Sequence, residues 1–489
     1  MATIPDILLI SSDEILHALA RQASDNRWDI HITPDADPSS LLPGSKIGTI
    51  ILDDQTLPAD QRNHIVAQLR ARAPHASLIY VAGEHSTEYE RWARAMGVNY
   101  YVSKPIENSR FASVLTSFLE HRASSADQTR GNKAKSQTKS MTAFVMTELD
   151  GVGFIEKPIP KAGPNDAVVK TTRALICTSD SHTVHGAIGP RHNLTLGHEA
   201  VGIVREVGTE VKLFKPGDRV VVGAITPDWG DLASQAGHSS QSNGALGGWK
   251  FANIKDGVFA EYFHVNDADT NMALIPEGIS DDVAVYCCDM MSTGFVAAEN
   301  ADIPVGGTVA VFGLGPVGLM AVSGAKLRAA GTIIGVDSVP ARHELARGYG
   351  ADIIVDHTKK DPVKEIFKLT DGVGVDAAIE ALGANDSFRD AIIVTKPGGV
   401  ISNAGYHGKG EFVNIPRMEW GVGMAEKTIR TGLCPGGRLR MQRLLRLLES
   451  KRIDPTRMTT HRFSFEQIDK AFELMDKKLD GIIKPLITF

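Results

Sequence analysis

The stretch TVAVFGLGPVGLMAVSGAKLRAAGTIIGVDS, residues 308–338, decides the fold of the larger part of the chain. Its first apolar run predicts a buried strand that leads into Gly313, Gly315 and Gly318, where a helix begins. Its second apolar run predicts a strand that ends at Asp337. This glycine spacing between strand and helix, with an acid about 20 residues on, is the fingerprint of a dinucleotide-binding unit. The glycines permit the turn, the approach of a pyrophosphate and close helix packing, respectively.

Asp337 also predicts which dinucleotide binds. Its carboxylate should accept hydrogen bonds from the adenosine ribose, whereas a 2′-phosphate would meet a like charge. The first arginine that follows is Arg342, which gives no evident partner for that phosphate. We therefore expect NAD rather than NADP. Two later apolar runs predict further strands of the same sheet, with Gly383 and Gly405 near the nicotinamide end.

Length, charge and cysteine content limit the class of protein. The chain has 489 residues, enough for two to four domains, and its 52 Lys and Arg against 58 Asp and Glu favour neither nucleic acid nor an acidic membrane as partner. No apolar run approaches the roughly 20 residues of a membrane span. The start lacks a basic segment and a cleavage site, so we expect no signal peptide. With four cysteines and no CxxC pair, a disulfide framework is not expected, and we predict a cytoplasmic location.

Composition divides the chain at residues 122–140, a polar stretch that cannot bury an apolar face and predicts a flexible linker. Before it, residues 1–121 alternate five short apolar runs with helical patterns, which predicts a doubly wound, flavodoxin-like α/β domain. After it, residues 141–489 form a separate unit.

The first domain resembles a response-regulator receiver. Asp54, in LDDQTLP, precedes a proline by four residues, as a phosphoacceptor aspartate does, and Lys104, in VSKP, matches the lysine that pairs with the acyl phosphate. Two positions that hold magnesium through acids in that family are Ser11 and Ser12, and the usual Thr or Ser after the fourth strand is Ala82. Two alternatives stay open: a phosphorylated receiver, or a pseudo-receiver that serves in assembly or in docking a partner.

The second unit offers metal ligands in three separate stretches. These are Cys177 in ICTSDSH, His198 and Glu199 in LGHEAVG, and VYCCDMMSTG at 285–294, with two cysteines and Asp289. A thiolate, an imidazole and a carboxylate around one ion suit tetrahedral zinc with an exchangeable fourth position. Each residue alone has a structural explanation, since a single cysteine is usually a small buried apolar residue.

Together these stretches resemble the zinc-dependent medium-chain alcohol dehydrogenases. GHEAVGIVREVGTEVKLFKPGDRVVV is specific to that family, and CTSDSHTV, TPDW, DMMSTGF and GLCPGGRLR are similar to its bacterial secondary-alcohol branch. The resemblance implies zinc ligands at Cys177, His198 and Asp289, which lies three positions before STG, and implies that Glu199 can reach the metal. The adjacent Cys287 and Cys288 fall outside this register and are interpreted as core residues.

The resemblance also implies the architecture, a GroES-like β-rich catalytic domain with an inserted Rossmann domain. The expected bounds are 141–292 for the catalytic domain, 293–433 for the Rossmann domain and 434–489 for the return to the catalytic domain. The structural-zinc lobe of four cysteines is absent, so we expect one zinc per chain. The best-known members of this branch prefer NADP, but Asp337, Val339 and His357 replace their pattern, and the local charge favours NAD.

The implied reaction is reversible oxidation of a secondary alcohol to a ketone. Ser179 is expected to take the hydroxyl proton, directly or through Thr178 and water, and His182 to pass it toward solvent. Trp249 and Tyr406 lie where the branch has pocket residues. A homotetramer or homodimer is implied, as is a regulatory partner for the first domain. Alternatives are a diol, acyloin or larger-alcohol dehydrogenase, and a regulatory or scaffold protein whose dehydrogenase unit senses a ligand.

Overall fold

The computed structural model describes residues 7–24, 28–34, 47–58, 61–73, 76–84, 86, 93, 96, 98, 100–106, 111, 115, 140–408 and 412–489. The chain forms two compact units, Met1–Gln137 and Thr138–Phe489, and each is described here by itself. The predicted linker, apart from Ser140, and most of two predicted helices at 86–97 and 109–121 lie outside the described residues. No helix among the described residues is long and apolar enough to cross a bilayer.

The first unit is built on a parallel sheet of five strands in the order β2-β1-β3-β4-β5. The strands are Ile7–Ile10, Ile30–Thr33, Thr49–Asp53, Ser77–Ala82 and Tyr100–Ser103, and the helices are α1, Glu14–Ser24, and α2, Arg62–Arg72. The central strands are buried on both faces. Residues of β1 and β3 on one face join the apolar cluster that contains α2, and those on the other face join the cluster that contains α1. This strand order is that of flavodoxin-like sheets.

The second unit begins with a β-rich region. Its strands β6 to β13 are Ser140–Glu148, Gly151–Pro158, Ala167–Leu175, Leu194–Thr195, Ala200–Val207, Arg219–Val222, Tyr262–Val265 and Met272–Leu274. Its helices α3 to α7 are Thr178–Val184, Leu232–Gln235, Ala268–Asn271, Asp281–Ala284 and Met290–Asn300. The larger sheet has the order β13-β11-β10-β8-β21-β20, in which β20 is Thr459–Ser464 and β21 is Lys484–Thr488, and β12 also pairs with β8. A smaller sheet has the order β7-β6-β9.

A six-stranded parallel sheet follows, in the order β16-β15-β14-β17-β18-β19, which is the Rossmann order. Strands β14 to β19 are Thr308–Phe312, Thr332–Val336, Ile353–Val355, Val375–Glu380, Thr395–Asn403 and Thr428–Thr431. Helices α8 to α11 are Pro316–Leu327, Pro340–Tyr349, Pro362–Leu369 and Asn385–Val394. In the glycine loop, Gly313 has φ +85°, and a Cβ on Gly318 would lie 1.8 Å from the Gly313 carbonyl oxygen, so both positions require glycine.

The chain then returns to the β-rich region. The last elements are α12, Arg438–Glu449, β20, Thr459–Ser464, α13, Ile468–Lys477, and β21, Lys484–Thr488. Strand β21 pairs with β8, so the final residues complete the larger sheet. The seam expected at 292/293 falls inside α7, because this helix packs its buried face closely on α8 and a Cβ on Gly294 would lie 2.3 Å from that of Met320.

Candidate metal and cofactor site

Four side chains from three distant stretches meet in the second unit. Cys177, His198, Glu199 and Asp289 each offer one ligand atom, and these atoms lie within 4.8 Å of one another. Cys177 follows β8 and begins α3, His198 and Glu199 directly precede β10, and Asp289 directly precedes α7. The antiparallel pairing of β8 with β10 brings the first two stretches together. No other group of this kind occurs among the residues that the structure describes.

The donor set fits zinc. The Cys177 Sγ lies 4.0 Å from Asp289 Oδ2, and His198 Nε2 lies 3.5 Å from the same oxygen, so thiolate, imidazole and carboxylate converge on one point. Glu199 Oε2 is buried and has no hydrogen-bond partner in the described part of the chain. A buried carboxylate oxygen without a donor is costly, and a cation would satisfy it.

Of the three candidate ligands in the stretch 285–294, only Asp289 belongs to the group. Cys287 and Cys288 are fully buried in the apolar core that contains α7 and α8, and burial raises the pKa of both thiols. A thiol in that environment resists forming the thiolate that a metal requires. The structure therefore separates the two cysteines from the aspartate beside them.

The charges around the site favour a cation. Burial opposes a charge on His198, but Asp180 and Asp289 outweigh it and hold the pKa of the imidazole well above its usual range. Burial likewise opposes ionisation of Asp289, yet His198 keeps the pKa of that carboxyl below its ordinary value. Burial raises the pKa of Glu199 to about 7, against the opposing effect of Lys484. The ligand group therefore contains more carboxyl groups than His198 alone can balance, which favours binding of a cation.

Sequence reasoning missed two residues that orient the ligands. Asp180 Oδ1 lies 3.1 Å from His198 Nδ1, and its Oδ2 accepts a hydrogen bond of 2.8 Å from the Cys177 backbone N–H. Thr293 donates a short hydrogen bond to Asp289 Oδ1. Such contacts fix the free ring nitrogen and the carboxylate for a metal. The signal for Asp180 was its place as third residue of the helix, where an acid reaches back to the N-cap.

A buried lysine at the site was also not predicted from the sequence. Lys484 Nζ, at the start of β21, lies 2.6 Å from Glu199 Oε1, and both side chains are fully buried. Burial alone would lower the pKa of this ammonium, but Glu199 reverses the effect and raises it. The distance is that of a charge-assisted hydrogen bond. No sequence pattern connects a lysine in the last strand with an acid 285 positions earlier.

The predicted proton-transfer residues follow one face of α3. Ser179 Oγ lies 3.4 Å from His198 Nε2, next to the ligand group. Thr178 accepts a hydrogen bond of 2.8 Å from Lys478 Nζ. His182 is exposed, with its ring centroid 5.6 Å from that of Tyr406. The helix therefore leads from the buried ligands to the surface.

One cavity, with a volume of about 330 Å³, reaches both the ligand group and the glycine loop. Gly313, Gly315 and Gly405 line it at the Rossmann side. Trp249 and Tyr406 both line it, and the Trp249 ring stands edge-on to His198 at 6.1 Å. The apolar lining residues also include Ala224, Ile225, Leu246, Met290 and Leu433.

Asp337 directly follows β15, and the structure corrects one expectation about it. Its Oδ2 accepts a hydrogen bond of 2.8 Å from Leu314 N–H, and its Oδ1 accepts one of 2.8 Å from Val339 N–H. Arg342 was discounted because it lies five positions on, but its Nη1 lies 3.4 Å from Asp337 Oδ2 and its side chain lines the cavity. The first turn of α9 carries the guanidinium back toward the strand end.

The first unit places Asp54 after β3 and Lys104 after β5, with β4 between these strands, and the two residues do not form a pair. Lys104 Nζ contacts Asp13 Oδ2 at 2.6 Å and Asp53 Oδ2 at 3.1 Å, rather than Asp54. Asp53 is fully buried and also accepts 2.7 Å from Ser11 Oγ, so it needs the ammonium as a countercharge. Asp54 accepts 2.8 Å from the Gly83 N–H instead.

Comparison with known proteins supports this site. Residues 163–277 match the family model of the alcohol dehydrogenase GroES-like domain, and residues 316–450 match that of the zinc-binding dehydrogenase. The chain is 56% identical over 350 residues to an NADP-dependent isopropanol dehydrogenase of Thermoanaerobacter brockii, covering 71% of this chain and 99% of that protein.

Solved structures agree with these matches. The alcohol dehydrogenase TADH from Thermus sp. ATN1 has a TM-score of 0.65 and 30% identity, covering 71% of this chain and 99% of its own. The 2R,3R-butanediol dehydrogenase from Bacillus subtilis has a TM-score of 0.61 and 27% identity, covering 72% of this chain and 100% of its own.

A histidine with two carboxylate partners supports the far end of α3. His185 Nδ1 lies 2.6 Å from Asp150 Oδ1, and its Nε2 lies 2.9 Å from Asp476 Oδ1. Both ring nitrogens can donate only when the imidazole is protonated. Asp150 and then Asp476 raise the pKa of His185 above its usual value. The same Asp476 oxygen accepts a short hydrogen bond from Ser181, so this contact joins α3 to α13.

We expect the stabilising effect of His185 to depend on pH. Because its pKa is raised on folding, its contribution is fully present below the unfolded value of about 6.5 and is lost as pH rises through the folded pKa. Thermal unfolding of wild type and His185→Gln between about pH 6 and pH 9 measures this. The difference in Tm should be small, because His185 is half exposed, and should shrink with rising pH.

His192→Gln is the control, because its Nδ1 contacts the Thr147 backbone carbonyl at 2.6 Å rather than a carboxylate. A Tm difference for His185→Gln that stays constant or grows with pH would contradict the ionic character of the contact.

Proposed function

The chain belongs to the zinc-binding alcohol dehydrogenase family, and from this premise we propose that it oxidises secondary alcohols to ketones, reversibly, by hydride transfer to NAD. One zinc per chain is proposed at Cys177, His198 and Asp289, with Glu199 beside them. The observation that carries the proposal is the single cavity that joins these ligands to the glycine loop. Hydride transfer requires a carbinol carbon held between a metal and a nicotinamide, and one cavity can hold both.

The residues around the cavity have separate roles in the proposed reaction. When bound, zinc supplies a Lewis acid and the nicotinamide a hydride acceptor. Ser179, whose Oγ lies 3.4 Å from His198 Nε2, accepts the substrate hydroxyl proton, directly or through Thr178 and water. His182, exposed at the outer side of α3, returns that proton to solvent. Asp180 holds His198 so that Nε2 faces the metal.

The cavity wall supports a small substrate. Trp249, Ile225 and Leu246 present apolar surface beside the ligand group, which suits the short alkyl arms of a secondary alcohol. A diol, an acyloin or a larger alcohol is the second candidate, since the structural relative from Bacillus subtilis acts on a butanediol. A purely regulatory or scaffold role is disfavoured, because such a role needs neither the ligand group nor the glycine loop.

Asp337 supports NAD, although the Thermoanaerobacter relative is named NADP-dependent. Its carboxylate is fixed by Leu314 and Val339 at the end of β15, where an acid faces the adenosine ribose in dinucleotide-binding folds. A 2′-phosphate there would meet a like charge held in place. Arg342 offsets part of that charge, so discrimination is proposed to be strong but incomplete.

We also propose a homodimer or homotetramer and the domain bounds 1–121, 122–140, 141–292, 293–433 and 434–489, of which the 292/293 boundary lies within helix α7. Strand β19 supports an assembly through the Rossmann domain. It ends its sheet, is mostly exposed and pairs only with β18 among the described residues. An open strand edge of this kind readily accepts another strand.

The first unit is proposed to be a pseudo-receiver that docks a partner and regulates modestly at most. Its strand order and the strand-end position of Asp54 support the receiver resemblance. Ser11 and Ser12 stand where that family has magnesium-binding acids, and the nearby carboxylates of Asp53 and Asp13 already bind Ser11 and Lys104.

The zinc proposal is tested by Asp289→Ala. We expect the purified wild type to turn over propan-2-ol with NAD, to lose activity with its zinc on chelation, and to regain it when zinc returns. Asp289→Ala should lose at least about tenfold in zinc affinity, because an anionic ligand is gone. Cys287→Ala is the matched control two positions away and should keep both zinc and activity, because Cys287 lies in the apolar core.

Equal zinc loss in the two variants would contradict the ligand assignment. If folded, zinc-loaded wild type does not oxidise propan-2-ol or butan-2-ol but does oxidise a diol, the result would support the second candidate function, a diol dehydrogenase.

Cofactor choice is tested by Asp337→Gly. Removing the carboxylate should lower the ratio of kcat/KM for NAD to that for NADP by at least about tenfold, since like-charge repulsion is worth several kcal/mol. Asp356→Asn is the control, because this acid follows the next strand, β16, and contacts Thr358 and Lys359 rather than the glycine loop. An unchanged ratio in Asp337→Gly would remove the reason for assigning NAD.

The pseudo-receiver proposal predicts that acetyl phosphate and magnesium leave the wild-type mass unchanged, and that Asp54→Asn keeps the wild-type activity and oligomeric state. The physical reason is that the nearby carboxylates are already bound. Lys104 contacts Asp13 and Asp53, and Ser11 donates a hydrogen bond to Asp53. Intact-mass spectrometry and sizing of the full chain measure this. If the wild type is phosphorylated and Asp54→Asn abolishes that phosphorylation, the first unit is a working receiver instead.

A further inference from the structure

The ion pair of Lys484 with Glu199 lies within the candidate metal site. Glu199 contributes an atom to the ligand group, while its Oε1 binds Lys484 Nζ at 2.6 Å. Both side chains have no solvent exposure. Lys484 begins β21, where its register partner is Thr459 of β20, and the same strand pairs with β8 from Leu486 onward. Because the side chain is fully buried on a paired strand, the ammonium is held beside the carboxylate.

The two oxygens of Glu199 are in different situations. Oε1 is held by Lys484, whereas Oε2 is buried without a hydrogen-bond partner in the described part of the chain. A carboxylate held at one oxygen can approach a neighbouring cation with the other, and the hold limits how far it approaches. The restraint acts directly on the residue that would compete with an alcohol for the metal.

The formal charges of the site balance only when Lys484 is counted. A Zn²⁺ ion is neutralised by the Cys177 thiolate and the Asp289 carboxylate, with His198 neutral. Glu199 then adds one negative charge, which Lys484 cancels. Without the ammonium, the metal would be the nearest positive charge to a fully buried carboxylate.

We propose that Lys484 is a positioning residue that holds Glu199 back from permanent ligation and so keeps the fourth metal position exchangeable for the substrate. This inference rests on the proposed zinc site. Losing the ammonium leaves Glu199 to bind zinc as a fourth protein ligand. Zinc is then retained more strongly, and alcohol competes less well for its place.

The experiment compares wild type with Lys484→Met in the full-length chain. We expect Lys484→Met to lose zinc to a chelator at least about tenfold more slowly, the size of effect that outer contacts have on metal sites. The absorption spectrum of the cobalt-substituted protein should change because a carboxylate oxygen replaces an exchangeable ligand. The KM for propan-2-ol should rise more than kcat falls, and Lys484→Arg should restore wild-type behaviour in all three measurements.

Two further variants separate positioning from packing. Glu199→Gln/Lys484→Met should lose the extra zinc retention, because no carboxylate remains to bind. Lys255→Met removes another lysine held by internal acceptors, the His264 carbonyl and Asn266 Oδ1, both at 2.9 Å, and should leave zinc retention unchanged. If Lys484→Met does not fold, Lys484→Gln removes the charge while keeping a hydrogen-bond donor, and the same slower zinc loss is expected.

Zinc loss from folded Lys484→Met or Lys484→Gln at the wild-type rate or faster would overturn the inference. A wild type that binds no zinc would instead overturn the proposed function, so the two failures are distinguishable.

Discussion

The pairing of β8 with β10 on one side and β21 on the other is the constraint on which the site depends. Strand β8 ends two residues before Cys177, β10 begins directly after Glu199, and β21 begins at Lys484. Backbone hydrogen bonds therefore fix a thiolate, an imidazole, a carboxylate and an ammonium in one buried place, although the chain separates them by up to about 300 residues. The pairing of the strands places these side chains close together, because it brings the ends of the strands to one edge of the sheet.

That placement buries charges that only each other, or a metal, can balance. Asp180, Asp289 and Glu199 surround His198, and Lys484 is the cation that the chain itself supplies. Buried carboxylates without partners cost several kcal/mol each, so the fold retains this group at the expense of stability. Such a cost is typical of a functional site, where local electrostatics serve chemistry rather than folding.

The sequence predicted the parts of this site that carry local signals. Gly313 and Gly318 were predicted from their spacing between strand and helix, and Cys177 and His198 from ligand type and family motif. The choice of Asp289 over its two cysteine neighbours came from the family register, because residue types alone left all three open. Lys484 was missed because its role arises only when distant elements meet, whereas Thr293 was missed although its contact with Asp289 spans only four residues.

The same reasoning explains two contacts near Asp337 and Asp54 that the sequence did not predict. Arg342 was judged too far along the chain, but the turn into α9 returns its guanidinium to the strand end. Lys104 was matched to the family lysine that pairs with the acyl phosphate, and in the structure its ammonium contacts the fully buried Asp53. In the first unit, continuous apolar runs predicted the strands well, since strands buried on both faces have no other pattern. Charge partners across a sheet leave no such trace in sequence.

The metal site and the dinucleotide site are joined by one pair of helices. Asp289 is the N-cap residue of α7, and Gly315 is that of α8, which carries the glycine loop. The helices pack at glycine contacts, where a Cβ on Gly294 or Gly324 would lie within 3 Å of the opposite helix. So close a contact leaves little room for sliding. The distance between a metal ligand and the cofactor loop is therefore fixed by backbone packing, and hydride transfer requires the reacting groups to be held in such a fixed geometry.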